Sequence, residues 1–180
     1  MKIVYIDTSI LLAKWIGTDP FHNESKILLG AIEIGKIKGY FSTFGLCEVV
    51  SVVKRQEQKF SLKLHTKQSV PILYLKKIRK IPNLQFFNDS NNLKVSIAGK
   101  PTEILASYWL TINNGSKTGL KTLDNVHLAI SKVISTITGE NVDYFVTGDG
   151  GILKKTKEIK KLTGISVVTP ELVIQLEGLE

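Results

Sequence analysis

Four short apolar runs, each ended by polar or acidic residues and each followed by an amphipathic stretch, constrain this chain most. Ile3-Val4-Tyr5-Ile6 stops at Asp7-Thr8-Ser9, a strand followed by a helix cap. Tyr40-Phe41-Ser42-Thr43 reads as the second strand, and Val142-Asp143-Tyr144-Phe145-Val146-Thr147, closed by Gly148-Asp149-Gly150-Gly151, as the third. Ile165-Ser166-Val167-Val168 precedes the cap Thr169-Pro170-Glu171 of a last helix. Helical spacing joins them over residues 23–38, over 44–60 (Leu46, Val49, Val50 and Val53 inward), over 123–137 and over the basic stretch 152–162. A basic helix is expected at about 66–80. Another opens at Pro101-Thr102-Glu103, with Tyr108 and Trp109 as core aromatics, and ends before Asn113. Pro82 and the polar run 88–92 read as loop. Strands with apolar cores alternating with helices predict a parallel sheet covered on both faces. The expected fold is α/β: a three-layer α/β/α sandwich around a small, mainly parallel sheet.

The 180 residues suit one domain over 1–180, and 43% hydrophobic with 22% charged residues excludes a disordered chain. No apolar run approaches the roughly 18 residues of a membrane span, and Asp7 comes too early for a signal peptide. Cys47 is the sole cysteine, so neither a disulfide nor a Cys/His zinc cluster is expected. A cytoplasmic protein without membrane attachment is the expectation. Residues 54–80 hold nine bases against the single acid Glu57, which accounts for the whole net charge of +8. Such a concentrated positive field attracts polyanions, nucleic acid first among them; the plainer alternative is a solvated helix face.

In an open parallel sheet the binding crevice lies beyond the carboxyl ends of the strands. Asp7 follows the first strand and Asp149 the third, while Glu48 lies one turn into the helix after the second. Asp124 opens the long helix near Leu123. Four converging carboxylates repel one another unless a cation joins them, and oxygen donors favour Mg²⁺ or Mn²⁺ over zinc. Each acid also has a structural reading: Asp7 and Asp124 as helix caps, Asp149 as a turn residue. Glu48, between Cys47 and Val49, needs a partner if buried. Asp143 falls at the opposite end of its strand and reads as structural. His127, one helical turn after Asp124, reads as a packed, hydrogen-bonded residue, with contact to substrate or metal as the other option.

Together these residues resemble the motifs of PIN-domain nucleases. Tyr5-Ile6-Asp7-Thr8-Ser9-Ile10-Leu11-Leu12 looks like the first, and Phe41-Ser42-Thr43 with Glu48 like the second. Leu123-Asp124-Asn125-Val126-His127-Leu128-Ala129 is similar to the third, and Tyr144-Phe145-Val146-Thr147-Gly148-Asp149 to the fourth. The nearest likeness is to VapC-type toxins and their archaeal relatives. The resemblance implies a Mg²⁺- or Mn²⁺-dependent ribonuclease with Asp7, Glu48, Asp124 and Asp149 around the metal. Asp7 and Asp149 would be the main ligands, and Thr8, Ser9 and Thr147 would support them through hydroxyl contacts. It also implies a homodimer and an antitoxin protein as partner. The basic, insertion-like region 61–121 is longer than in compact toxins. Lys54, Arg55, Lys59, Lys154 and Lys155 are the candidates for holding RNA. The competing reading is a PIN-like module that binds RNA without cutting it. A haloacid-dehalogenase-type phosphatase would need an acid where Ser9 stands.

Overall fold

The computed structural model describes residues 1–60 and 69–179. In chain order the elements are β1 (Ile3–Ile6), α1 (Thr8–Ala13), α2 (His22–Glu33), β2 (Lys38–Ser42) and α3 (Thr43–Arg55). A 3-10 turn (Glu57–Lys59) precedes α4 (Val70–Ile78), β3 (Leu84–Phe87), β4 (Asn92–Ile97), β5 (Lys100–Leu105), α5 (Ala106–Thr118) and α6 (Thr122–Thr138). The chain ends with β6 (Tyr144–Val146), α7 (Gly150–Leu153), α8 (Thr156–Thr163), β7 (Ser166–Val168) and α9 (Pro170–Glu177).

Five strands form one sheet in the order β3-β2-β1-β6-β7, with every pairing parallel. Successive strand side chains point to opposite faces, and the core divides accordingly. Val4, Ile6, Phe41, Val146 and Val168 pack on one side with residues of α1, α2, α3, α4 and α9. Tyr5, Tyr40, Phe145 and Val167 pack on the other with α6, α7 and α8. Helices thus cover both faces, as the apolar strands require. From β1 the chain builds outward to β2 and β3, then crosses to β6 and β7 on the other side. The change of direction lies between β1 and β6, where such folds open their crevice.

Several expectations are corrected. Residues 84–87, given no element between Pro82 and the polar run, form a fifth strand at the sheet edge, paired with β2 from Gly39↔Leu84 to Ser42↔Phe87. Four residues between Pro82 and a polar run are too short to show a period. Pro101-Thr102-Glu103 does not open a helix; it lies in β5, antiparallel to β4 with Val95 opposite Thr102. Both turn residues, Ala98 (φ 51) and Gly99 (φ 79), have positive φ, which matches the twist of a two-residue hairpin. The following helix, α5, continues through Asn113-Asn114-Gly115 to Thr118. Tyr108 is exposed and Trp109 only half-buried, because α5 packs on α6, which itself covers the sheet. Val50 is also exposed. The stretch 152–162 is two helices, broken at Lys154-Lys155. The basic helix expected at 66–80 appears as α4, with Val70, Tyr74 and Ile78 in the core; Lys63 and Lys67 lie outside the described residues. Besides α4 and α5, region 61–121 contributes β3, β4 and β5, so it is not purely helical.

Gly45 sets how closely α3 approaches β2, and thereby where Glu48 sits one turn later. A Cβ at Gly45 would lie 2.5 Å from Phe41 Cζ, a ring with no solvent exposure. Alanine's helix preference, worth about 1 kcal/mol over glycine, is outweighed by overpacking. Gly45→Ala is expected to lower stability by about 1–2 kcal/mol net, read as a lower urea midpoint with an unchanged slope.

Candidate active site

At the C-terminal ends of β1 and β6, Asp7, Thr8, Ser9, Glu48, Asp124 and Asp149 line one cavity of about 260 Å³. The Asp7 amide donates to Val146 O (3.0 Å), which ties the two strand ends together.

Asp7 is buried (7% exposed) and held by three donors. Its Oδ1 accepts from the Thr8 amide (2.8 Å), and its Oδ2 from Ser9 Oγ (2.7 Å) and Thr147 Oγ1 (2.7 Å). It therefore caps α1 and lines the cavity at once, so the two readings of Asp7 are compatible. Thr147 Oγ1 also accepts from the Asp149 amide (3.0 Å), and Ser9 Oγ from the Gly148 amide (3.1 Å). Ser9 and Thr147 thus brace the carboxylates within the protein. Thr8 Oγ1 is buried with no hydrogen bond of ordinary geometry, and it favours the ionised form of Glu48.

Asp149 caps α7: its Oδ1 accepts from the Gly151 and Ile152 amides (2.6 and 3.2 Å). A Cβ at Gly151 would stand 2.9 Å from that oxygen, so a side chain there would shift the Asp149 carboxylate. Oδ2 takes no part in the cap. Asp124 lies in the first turn of α6, but the cap position belongs to Lys121 and no side-chain cap bond is made. Burial raises the Asp124 carboxyl above its ordinary value, as do the charges of Asp149, Asp7 and Glu48, against Lys121. Mutual repulsion of converging carboxylates is thus present at this site.

Glu48 Oε2 pairs with His127 Nε2 at 3.0 Å, and His127 Nδ1 with the Tyr5 hydroxyl at 2.7 Å. Burial alone would raise Glu48, but His127 and the Thr8 hydroxyl, with help from Arg55, hold it below the usual carboxylate range. Burial also pushes the Tyr5 hydroxyl far above the ordinary phenol value. Ligand atoms of Asp7, Glu48 and His127 all lie within 4.8 Å of one another. This donor set, rich in carboxylate oxygen and without thiolate, fits Mg²⁺ or Mn²⁺.

Two features escaped the sequence. The fifth acid at the cavity is Asp19, carried back to the rim in the turn after α1, where its Oδ1 accepts from the Phe21 amide (2.9 Å). The Asp-Pro pair was the only local signal, and nothing in it relates to β1. Asp143 lies at the far end of the sheet, bound to the Ile3 amide (2.9 Å) and Lys2 (3.1 Å). The second feature is the contact of His127 with Glu48 across 79 positions. Among the basic candidates, Lys54, Arg55 and Lys59 line a separate exposed groove that shares Gln56 with the acidic cavity. Lys54 pairs with Glu57 at 2.9 Å. Lys154 is exposed and Lys155 half-buried, just beyond α7.

No family model and no curated protein matches this chain. Among solved structures, it resembles a chain of the crystal structure of VapBC2 from Rickettsia felis bound to a DNA fragment from their promoter. The TM-score is 0.53 at 12% sequence identity, over 93% of this chain and 98% of that one. No helix among the described residues is long and apolar enough to cross a membrane. The protein thus has an α/β fold, with a five-stranded parallel sheet between helices, shared with that VapBC2 chain along nearly its whole length.

Proposed function

We propose that this chain is a divalent-metal-dependent ribonuclease that hydrolyses RNA phosphodiester bonds. The observation that carries the reading is the convergence of Asp7, Glu48, Asp124 and Asp149 on one cavity, with Asp124 raised partly by the charges of the other three. Asp7, Glu48, Asp124 and Asp149 would hold Mg²⁺ or Mn²⁺. When bound, such an ion activates water and neutralises charge on the departing oxygen. The protein's own part is to keep the acids in place. Thr147 and Ser9 clamp Asp7, the α7 amides anchor Asp149, and His127 holds Glu48. Lys54, Arg55 and Lys59 would draw the RNA backbone along their groove, and Gln56 connects that groove to the acids. Lys154 and Lys155 would add charge on the side of Asp149. Likeness of fold to a VapBC2 chain supports an antitoxin-like partner protein, and the sequence motifs support a homodimer. A cytoplasmic location belongs to the same reading.

The test is cleavage of a mixed pool of structured RNAs with Mn²⁺, Mg²⁺ or EDTA. Cleavage with either metal and none in EDTA supports the nuclease. RNA bound but uncut under every condition overturns it in favour of a binding module. The basic groove makes a separate prediction. Changing Lys54, Arg55 and Lys59 together to glutamine should weaken RNA binding and flatten the slope of log affinity against log salt by about 2. Fluorescence anisotropy across a salt series measures it.

A further inference from the structure

We propose that Tyr5 and His127 form a buried hydrogen-bond relay that fixes the Glu48 carboxylate, which makes His127 a positioning residue and not a ligand. The inference rests on the metal-dependent reading of the cavity. His127 is 2% exposed and Tyr5 fully buried, and both imidazole nitrogens are engaged, at 2.7 Å to Tyr5 and 3.0 Å to Glu48. An ionised carboxylate only accepts hydrogen bonds, so Nε2 carries the proton that Glu48 receives. In the neutral ring Nδ1 is then an acceptor, and the Tyr5 hydroxyl donates to it. Each group has one role, and the tautomer follows from the other two members.

Aromatic packing keeps the relay in place. Tyr5 stacks on Phe145, with ring centroids 5.2 Å apart, and Phe44 meets the His127 ring edge-on at 5.5 Å. Tyr5 stands on β1 two residues before Asp7, Glu48 on α3 and His127 on α6. The relay therefore holds the first carboxylate's strand, the second's helix and the third's helix in one relative geometry. Partners of this kind behind a metal ligand are typically worth about 10–100-fold in metal affinity.

Two measurements on the full chain test this. Ring ¹⁵N spectra of the metal-free protein should show the neutral His127 ring as the Nε2–H tautomer. The Nδ1–H tautomer overturns the relay. Loss of the Nε2 proton when Mg²⁺ is added makes His127 a ligand and overturns it too. By calorimetry, Tyr5→Phe and His127→Leu should each weaken Mn²⁺ binding by about 10–100-fold, while His127→Gln, whose amide can still donate to Glu48, recovers most of it. Unchanged affinity in Tyr5→Phe and His127→Leu removes the relay and leaves the nuclease reading standing. Wild-type protein that binds no Mn²⁺ sinks the nuclease reading instead, and the spectra of the metal-free ring still decide the hydrogen-bond pattern.

Discussion

Asp7→Asn is expected to abolish metal-dependent RNA cleavage while the protein stays folded. The substitution is isosteric and removes one negative charge from the best-braced acid of the cavity. Its amide oxygen can keep the bond from the Thr8 amide. Its NH₂ group then faces Ser9 Oγ and Thr147 Oγ1, which now donate to Asp7. A hydroxyl has two lone pairs and can turn to accept, but the Ser9 and Thr147 hydroxyl protons then lose their acceptor, so a loss of about 1–3 kcal/mol of stability accompanies the substitution. The charge cannot be replaced in this way. Loss of one group that stabilises developing charge typically costs about 10²–10³ in rate, and an acid held by three donors should reach at least the upper figure. Cleavage of the RNA pool in Mn²⁺, read beside the melting temperature of each protein, checks it. Full activity in a folded Asp7→Asn variant would falsify the assignment.

Asp124→Asn should move stability and activity in opposite directions. Burial and three neighbouring carboxylates raise the Asp124 carboxyl in the folded protein. The sign follows from linkage: a group with a raised folded pKa favours the fold when protonated, and that contribution is lost as pH rises through the raised value. At neutral pH without metal, the wild type therefore carries the full repulsion. Asparagine removes it. In EDTA the variant should melt about 1–4 °C higher than wild type near pH 7, a modest gain because Asp124 is only half-buried. The difference should close as pH falls through the raised folded value towards the ordinary aspartate value of about 4. In Mn²⁺ the order should reverse, since a ligand that binds only the folded state adds stability in proportion to its affinity. Cleavage should drop by about 10²–10³-fold. A variant no more stable than wild type in EDTA, at any pH, would remove the electrostatic argument.

Much of this protein was legible locally. The run Ile3-Val4-Tyr5-Ile6 ended by Asp7-Thr8-Ser9 contains both a continuous apolar stretch and the cap, so strand, helix start and acid could be read together. The same holds for Tyr144-Phe145-Val146 with Thr147 and Asp149. Glu48 was placed by counting one turn from β2 into α3. Prediction failed where the local signal was short or ambiguous. Leu84-Gln85-Phe86-Phe87 has too few residues to show a period, and Pro101-Thr102-Glu103 has the composition of a helix start but pairs with β4. Capping and metal binding at Asp7 read as rivals in the sequence, yet a carboxylate with two oxygens and several lone pairs has room for both, and the cap is made.

The sequence by itself determined four of the five strands of the central sheet, most of the helices that join them, and that Asp7 and Asp149 follow strand ends. These come from short apolar runs and from polar residues that cannot continue an apolar strand, both properties of neighbours in the chain. Only the tertiary structure decided the strand order, the edge position of β3 and the meeting of Tyr5, Glu48 and His127, which lie 122 and 79 positions apart in their two contacts. It also decided that Asp19 joins the acids at the cavity rim. Such pairings are chosen by burial and hydrogen bonding summed over the whole chain, and no local pattern encodes which distant partner will satisfy a buried polar group.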